Sequence, residues 1–224
     1  APFLKNLTIK LPSGLSLEAT AERAVSLANP NDPLSLNSET NTKTLNGKTF
    51  TAIYDAALKQ HTFRSPLNRL GLVRTDMQGR VIQQQVTDIE AVNYGYDTRG
   101  RLISLTQGRG TAARTTSFNY NAEGYLGSVT DPTGRMQSYK YDAAGRIKYQ
   151  TLSDDRIIKY SYDANGNVIS LIPPESSSHT FTYTPVNVES QYTPPAARQP
   201  TPQTQYSYNL DKQLTLITRP DGQL

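Results

Sequence analysis

The 224-residue chain has no cysteine, which excludes disulfides, thiolate chemistry and a small secreted scaffold held by bridges. Histidine is nearly absent: His61 and His179 are the only two, and neither has a metal-ligand or triad neighbour at motif spacing, so both read as loop or strand residues. No Gly-x-Ser-x-Gly, phosphate loop, dinucleotide fingerprint or His-Glu-x-x-His occurs. The chain is therefore read as non-enzymatic, with no catalytic residue, no cofactor and no metal. No apolar run approaches the roughly 18 residues of a membrane-spanning helix, so no membrane insertion is expected. The opening Ala1-Pro2-Phe3-Leu4-Lys5 lacks the basic-then-apolar pattern of a signal peptide and reads as the start of an excised or processed piece. Lys and Arg number 23 against 19 Asp and Glu, a net charge of +4, but no three basic residues run together, and no nucleic-acid partner is expected. Tryptophan is missing and apolar residues make up only 36%, so any core must use tyrosine bodies and aliphatics on strands.

What the chain has is a repeat. Tyr94-Gly95-Tyr96-Asp97, Phe118-Asn119-Tyr120-Asn121, Tyr139-Lys140-Tyr141-Asp142 and Tyr160-Ser161-Tyr162-Asp163 are each followed, three residues on, by glycine: Gly100, Gly124, Gly145 and Gly166. An aliphatic lies two residues later, at Leu102, Leu126, Ile147 and Val168. The period is about 21 residues, with an interval of 24 from Tyr94 to Phe118 followed by three of 21 to Phe181. Asp76, Gly79 and Val81 form an earlier copy without its aromatics, and Phe181-Thr182-Tyr183 and Tyr206-Ser207-Tyr208-Asn209 continue the series. Twelve of the 14 Tyr and 5 Phe fall at the two aromatic positions, so the spacing reflects structure.

Residues i and i+2 of a strand share a face, so each aromatic pair lies on one side of a sheet. Asp-x-x-Gly then reads as a turn: the carboxylate accepts from N–H groups two or three residues on, and glycine takes positive φ. This turn role accounts for the series Asp97, Asp142 and Asp163 without a bound cation. A second set of turn signals, at Gly108-Arg109-Gly110, Asp131-Pro132-Thr133-Gly134, Asp154-Asp155 and Pro173-Pro174-Glu175-Ser176, divides each repeat again, so the strands should be antiparallel throughout. One hairpin alone is marginal in water. Neighbouring repeats should therefore pair edge to edge and stack rings on one another. The fold class expected is all-β, built of tandem antiparallel β-hairpin repeats.

Residues 1–71 read as degenerate β repeats, with Asn46-Gly47 as the strongest hairpin signal; Glu18–Val25 has helix formers but no sustained 3.6 period. Residues 72–224 carry the regular repeats. Within them, 184–205 holds Pro185, Pro194, Pro195, Pro200 and Pro202 and reads as a long loop. The array ends on Arg219-Pro220-Asp221-Gly222, a turn, and is expected to continue in a parent protein.

Segments such as Tyr139-Lys140-Tyr141-Asp142-Ala143-Ala144-Gly145-Arg146-Ile147 and Tyr160-Ser161-Tyr162-Asp163-Ala164-Asn165-Gly166-Asn167-Val168 resemble the YD repeats of the RHS family, found in bacterial polymorphic toxins, the C component of insecticidal toxin complexes and animal teneurins. The resemblance is specific over residues 72–220 and looser before. It implies a continuous sheet that spirals into a hollow shell, with a toxic C-terminal polypeptide inside in the bacterial cases, and this chain as a non-catalytic segment of the wall. It also implies a secreted or cell-surface setting, with the remaining repeats and the enclosed polypeptide as partners. Asp131-Pro132-Thr133-Gly134 starts like the family's self-cleaving aspartate motif, but Arg135 follows where an apolar residue is expected and no second copy occurs, so it reads as a turn. The alternative function is a surface adhesion or glycan-binding module, with glycans stacked on exposed tyrosines; Asn6-Leu7-Thr8 has the pattern of a glycosylation acceptor.

Overall fold

A computed structural model of the chain describes residues 5–195 and 203–221. These residues form 19 β-strands, one 3₁₀ turn at Gly110–Ala112 and no α-helix. The chain divides into two compact units, Ala1–Ser117 and Phe118–Leu224.

The first unit holds β1 (Asn6–Lys10), β2 (Ser16–Leu27), β3 (Leu36–Leu45), β4 (Lys48–Asp55), β5 (Gln60–Arg64), β6 (Leu70–Thr75), β7 (Val81–Val86), β8 (Val92–Tyr96) and β9 (Leu102–Gln107); β10 (Arg114–Tyr120) crosses the boundary. Each strand up to β9 pairs antiparallel with its neighbour in sequence, as a meander. The longest, β2, contains Glu18–Val25: its residues alternate between faces and pair in register with β3 from Ala19↔Leu45 to Ser26↔Ser38, so tertiary pairing overrides their helix propensity. Asn46 and Gly47, at φ 46° and 76°, turn β3 into β4, the two-residue hairpin in which both central residues need positive φ.

The second unit continues with β11 (Leu126–Thr130), β12 (Met136–Tyr141), β13 (Ile147–Thr151), β14 (Ile157–Tyr162), β15 (Val168–Ile172), β16 (His179–Tyr183), β17 (Glu189–Thr193), β18 (Thr204–Tyr208) and β19 (Leu214–Thr218), again paired in sequence order. The stretch 184–205 expected as one long loop contains β17. Its prolines flank the strand at Pro185 and Pro194-Pro195 and remove no ladder donor inside it. Residues 196–202 of that stretch lie outside the described residues.

Register divides the faces. In the second unit Tyr139 lies opposite Gln150, and Tyr160 opposite Leu171, on one face; Ser138–Thr151, Lys140–Tyr149–Lys159 and Ser161–Ser170–Thr180 occupy the other. Among the described residues only Ala91 is buried, at 4% exposure. The chain exposes 15880 Å², against about 10,000 Å² for a compact monomer of its 24.8 kDa mass. Stability therefore rests on the ladders and on half-buried tyrosines and aliphatics.

Candidate functional site

The recurring chemistry sits at the Asp-x-x-Gly turns. In Asp97-Thr98-Arg99-Gly100-Arg101 the Gly100 N–H donates to the Asp97 carbonyl at 2.9 Å and the Asp97 N–H to the Arg101 carbonyl at 2.9 Å. Gly100 has φ 81°, so this is a type I turn closed by a residue in the left-handed region. The same bonds recur from Asp76, Asn121, Asp142 and Asp163. The side chain of Asp97 accepts from the N–H groups of Arg99 and Arg101, two and four residues on rather than two or three. Its second oxygen accepts from the Arg101 guanidinium at 2.7 Å. Arg80 and Arg146 fold back on Asp76 and Asp142 in the same way, at 2.6 and 2.8 Å. These bonds hold the carboxyls below the usual range: at Asp97 and Asp142 the largest cause is the N–H of the arginine four residues on, and at Asp163 it is the Asn167 side chain.

A second device follows each turn. The ladder inside a YD hairpin shifts by one residue between the two last pairs: Lys140↔Tyr149 is followed by Tyr141↔Ile147, and Ser161↔Ser170 by Tyr162↔Val168. Lys148 and Ile169 are the extra residues, and the same bulge recurs at Ile82, Ile103, Ser190 and Thr215. At Lys148 it lets neighbours in sequence meet, with the ammonium 5.5 Å from the centre of the Tyr149 ring.

The ladders between hairpins are short. β13 and β14 pair only from Tyr149↔Lys159 to Thr151↔Ile157, so the Ile147 carbonyl at the turn end has no place in that ladder. The Tyr162 hydroxyl fills it, donating to Ile147 at 2.8 Å. The bond recurs as Tyr96 to Val81 and Tyr141 to Leu126, both at 2.8 Å, and Tyr183 to Val168 at 2.9 Å. The arginine completes the junction. Arg146 lies 4.6 Å over the Tyr162 ring and donates to the Asp163 carbonyl at 3.0 Å, while Arg80 lies 4.7 Å over Tyr96. One guanidinium thus joins its own turn to the next repeat. Where Tyr125 replaces the arginine, its ring stacks on Tyr141 at 4.8 Å; where Asn167 replaces it, its amide donates to Asp163 and to Asn187 of the following turn.

Tyr94, Tyr139 and Tyr160, at the first position of their pairs, bond to glutamine side chains instead of to the backbone. Tyr94 donates to Gln84 at 2.9 Å, and the hydroxyls of Tyr139 and Tyr160 reach Gln137 and Gln150 only at 3.4 Å. Phe118 and Tyr120 lie on β10, both half-buried, and Gly124, Gly145 and Gly166 have φ of 94°, 78° and 91°. The expected ring-on-ring stacking between repeats is replaced at Tyr96 and Tyr162 by a guanidinium, because the arginine four residues after each turn aspartate reaches the ring first. Sequence reasoning read those arginines only for charge, although their fixed place after Asp-x-x-Gly marked them. His61 packs against Tyr54 and Phe63, and His179 shares a 2.7 Å hydrogen bond with the Tyr192 hydroxyl. Among the described residues no three His, Cys, Asp or Glu side chains are grouped to hold a metal ion.

A family model described as Teneurin YD-shell matches residues 1–224. The chain belongs to the teneurin YD-shell family. This YD-shell chain shares its fold with solved structures of TcdB2-TccC3-TEV (TM-score 0.62, 15% identity, covering 97% of this chain and 15% of that one). The Tc holotoxin pore of Photorhabdus luminescens with a substituted TccC3 gives 0.61, 14%, 97% and 15%. TcdB2-TccC3 without its hypervariable C-terminal region gives 0.60, 14%, 95% and 15%. The YD-shell chain thus spans 15% of the length of these solved chains. No curated protein sequence matches it. It is a structural segment of a YD shell, made of hairpins joined one to the next.

Proposed function

We propose that this segment is part of the wall of a shell that encloses a C-terminal polypeptide of its parent protein, a toxin in a bacterial setting, and that the parent is exported. The observation that carries this reading is the junction at each turn: arginine and tyrosine side chains are spent on holding one hairpin to the next, an arrangement suited to a wall. On this reading Tyr94, Tyr96, Asp97, Gly100, Phe118, Tyr120, Gly124, Tyr139, Tyr141, Asp142, Gly145, Tyr160, Tyr162, Asp163 and Gly166 serve the fold and no reaction. The regular repeats begin at residue 72, and residues 1–71 are divergent copies.

Limited proteolysis of the parent protein tests it. The C-terminal polypeptide is expected to resist cleavage in the intact protein and to be digested when residues 1–224 are deleted. Equal digestion of both, together with saturable binding of the intact protein on a glycan array, would replace the wall with an adhesion module.

A further inference from the structure

The first unit carries a hollow of about 540 Å³ that the repeat junctions do not use. Its floor is made by small residues: Ala52 on β4 and Gly71 on β6 flank Phe63 on β5 in one cross-strand row, and Asn41 and Val86 extend that row on β3 and β7. Its walls are large and exposed, with Phe50 and Phe63 at 45% and Val86 at 48%. An apolar depression of this volume falls in the range of small-ligand sites, about 300–1,000 Å³.

The lining is also one-signed. Arg23, Lys43, Arg64 and Arg69 border the hollow and no carboxylate does. Glu39 approaches Arg23 at 3.4 Å, which leaves Lys43, Arg64 and Arg69 outside any ion pair among the described residues. Lys43 lies directly opposite Phe50, so a charge and an apolar wall are presented side by side. The backbone under the hollow is fully engaged, since β3 to β7 pair in unbroken succession through Asn41, Ala52, Phe63, Gly71 and Val86. A polypeptide laid there would find no strand edge to join, and its own N–H and C=O groups would meet an apolar floor. An alkyl chain carries no such groups.

We propose that this hollow binds a free medium-chain fatty carboxylate, its chain over Ala52 and Gly71 between the two phenylalanines and its carboxylate held by Lys43 or Arg69. Calorimetric titration of the full chain with sodium decanoate, kept below its micellar concentration, tests it. Saturation at one ligand per chain is expected, with decanol binding at least about fivefold more weakly for want of the charge. Gly71→Leu fills the floor. The φ of Gly71 is not positive, and an added Cβ would meet Phe63 at an ordinary 3.7 Å, so the variant is expected to fold and to lose at least about tenfold in affinity. Ala52→Leu gives the same test from the neighbouring strand, and the decanoate-to-decanol ratio needs no variant. Absence of saturable binding, equal affinity for decanol, or unchanged affinity in a folded Gly71→Leu chain overturns the proposal. So does binding only to anionic lipid vesicles, or only to an acidic leucine-rich peptide, which would assign the hollow to a membrane or a protein instead.

Discussion

Replacing Tyr162 by phenylalanine removes one oxygen and leaves the ring under Arg146 in place. The lost bond is the 2.8 Å donation to the Ile147 carbonyl, at the end of β13 that the β13–β14 ladder does not reach. A hydrogen bond of this kind contributes about 0.5–1.5 kcal/mol net, and a carbonyl left without its partner keeps the loss from vanishing. The expected cost is therefore about 1 kcal/mol, seen as a fall of about 2–4 °C in Tm for a chain of this length. Urea unfolding followed by far-UV circular dichroism gives the number, and the slope should stay at the wild-type value because the surface exposed on unfolding does not change. Tyr160→Phe is the internal control: its hydroxyl reaches Gln150 only at 3.4 Å, so its removal should cost less than about 0.3 kcal/mol. Tyr141→Phe and Tyr183→Phe repeat the Tyr162 geometry one hairpin away on either side, and the three changes together should cost about 3 kcal/mol. If Tyr160→Phe cost as much as Tyr162→Phe, the hydroxyl bridge would not be what holds the hairpins at the turn end.

Acid should loosen the turns: Asp97, Asp142 and Asp163 have folded pKa values below their unfolded ones, so their contribution is present above about pH 4 and is lost as pH falls through the folded values. Asp142→Asn is expected to flatten the acid limb of an unfolding titration. At the other extreme, burial first of all raises the phenols of Tyr141, Tyr162 and Tyr183, so their contribution holds below about pH 10 and is lost as pH rises through their folded values. Absorbance at alkaline pH should show these tyrosinates forming after the exposed ones. Gly145→Ala should destabilise more than Gly166→Ala in the same urea assay. Both positions have positive φ, but the new methyl at 145 runs into the Tyr125 ring and at 166 meets nothing within 4 Å.

The hairpins and their antiparallel order were legible because aromatic pairs and Asp-x-x-Gly recur at one spacing and each has a local physical meaning. The bulge was not. Its extra residue is Lys148 in one repeat, Ile169 in another and Ser190 in a third, so no residue type marks it; it arises from pairing across strands. The bridging role of Arg146 was only half visible. Its distance from Asp142 is written in the sequence, whereas its position over Tyr162, 16 residues on, depends on the two hairpins lying side by side. The strand Glu189–Thr193 was not legible from proline density, because Pro185 and Pro194 bracket it and none falls within it.

The two longer intervals in the series, 24 residues from Asp97 to Asn121 and 25 from Thr184 to Asn209, take up their extra length in the connections opposite the Asp-x-x-Gly turns. Gly110–Ala112 coils into its 3₁₀ turn there, and the Pro-rich stretch follows β17 there, while the Tyr183↔Glu189 and Tyr208↔Leu214 pairings on either side keep the common register. These connections are thus open to grafting. An epitope or fluorophore-bearing peptide spliced in after Gly110 would extend a connection that has already been lengthened, whereas the same peptide placed between Asp142 and Arg146 would break the grip of one hairpin on the next.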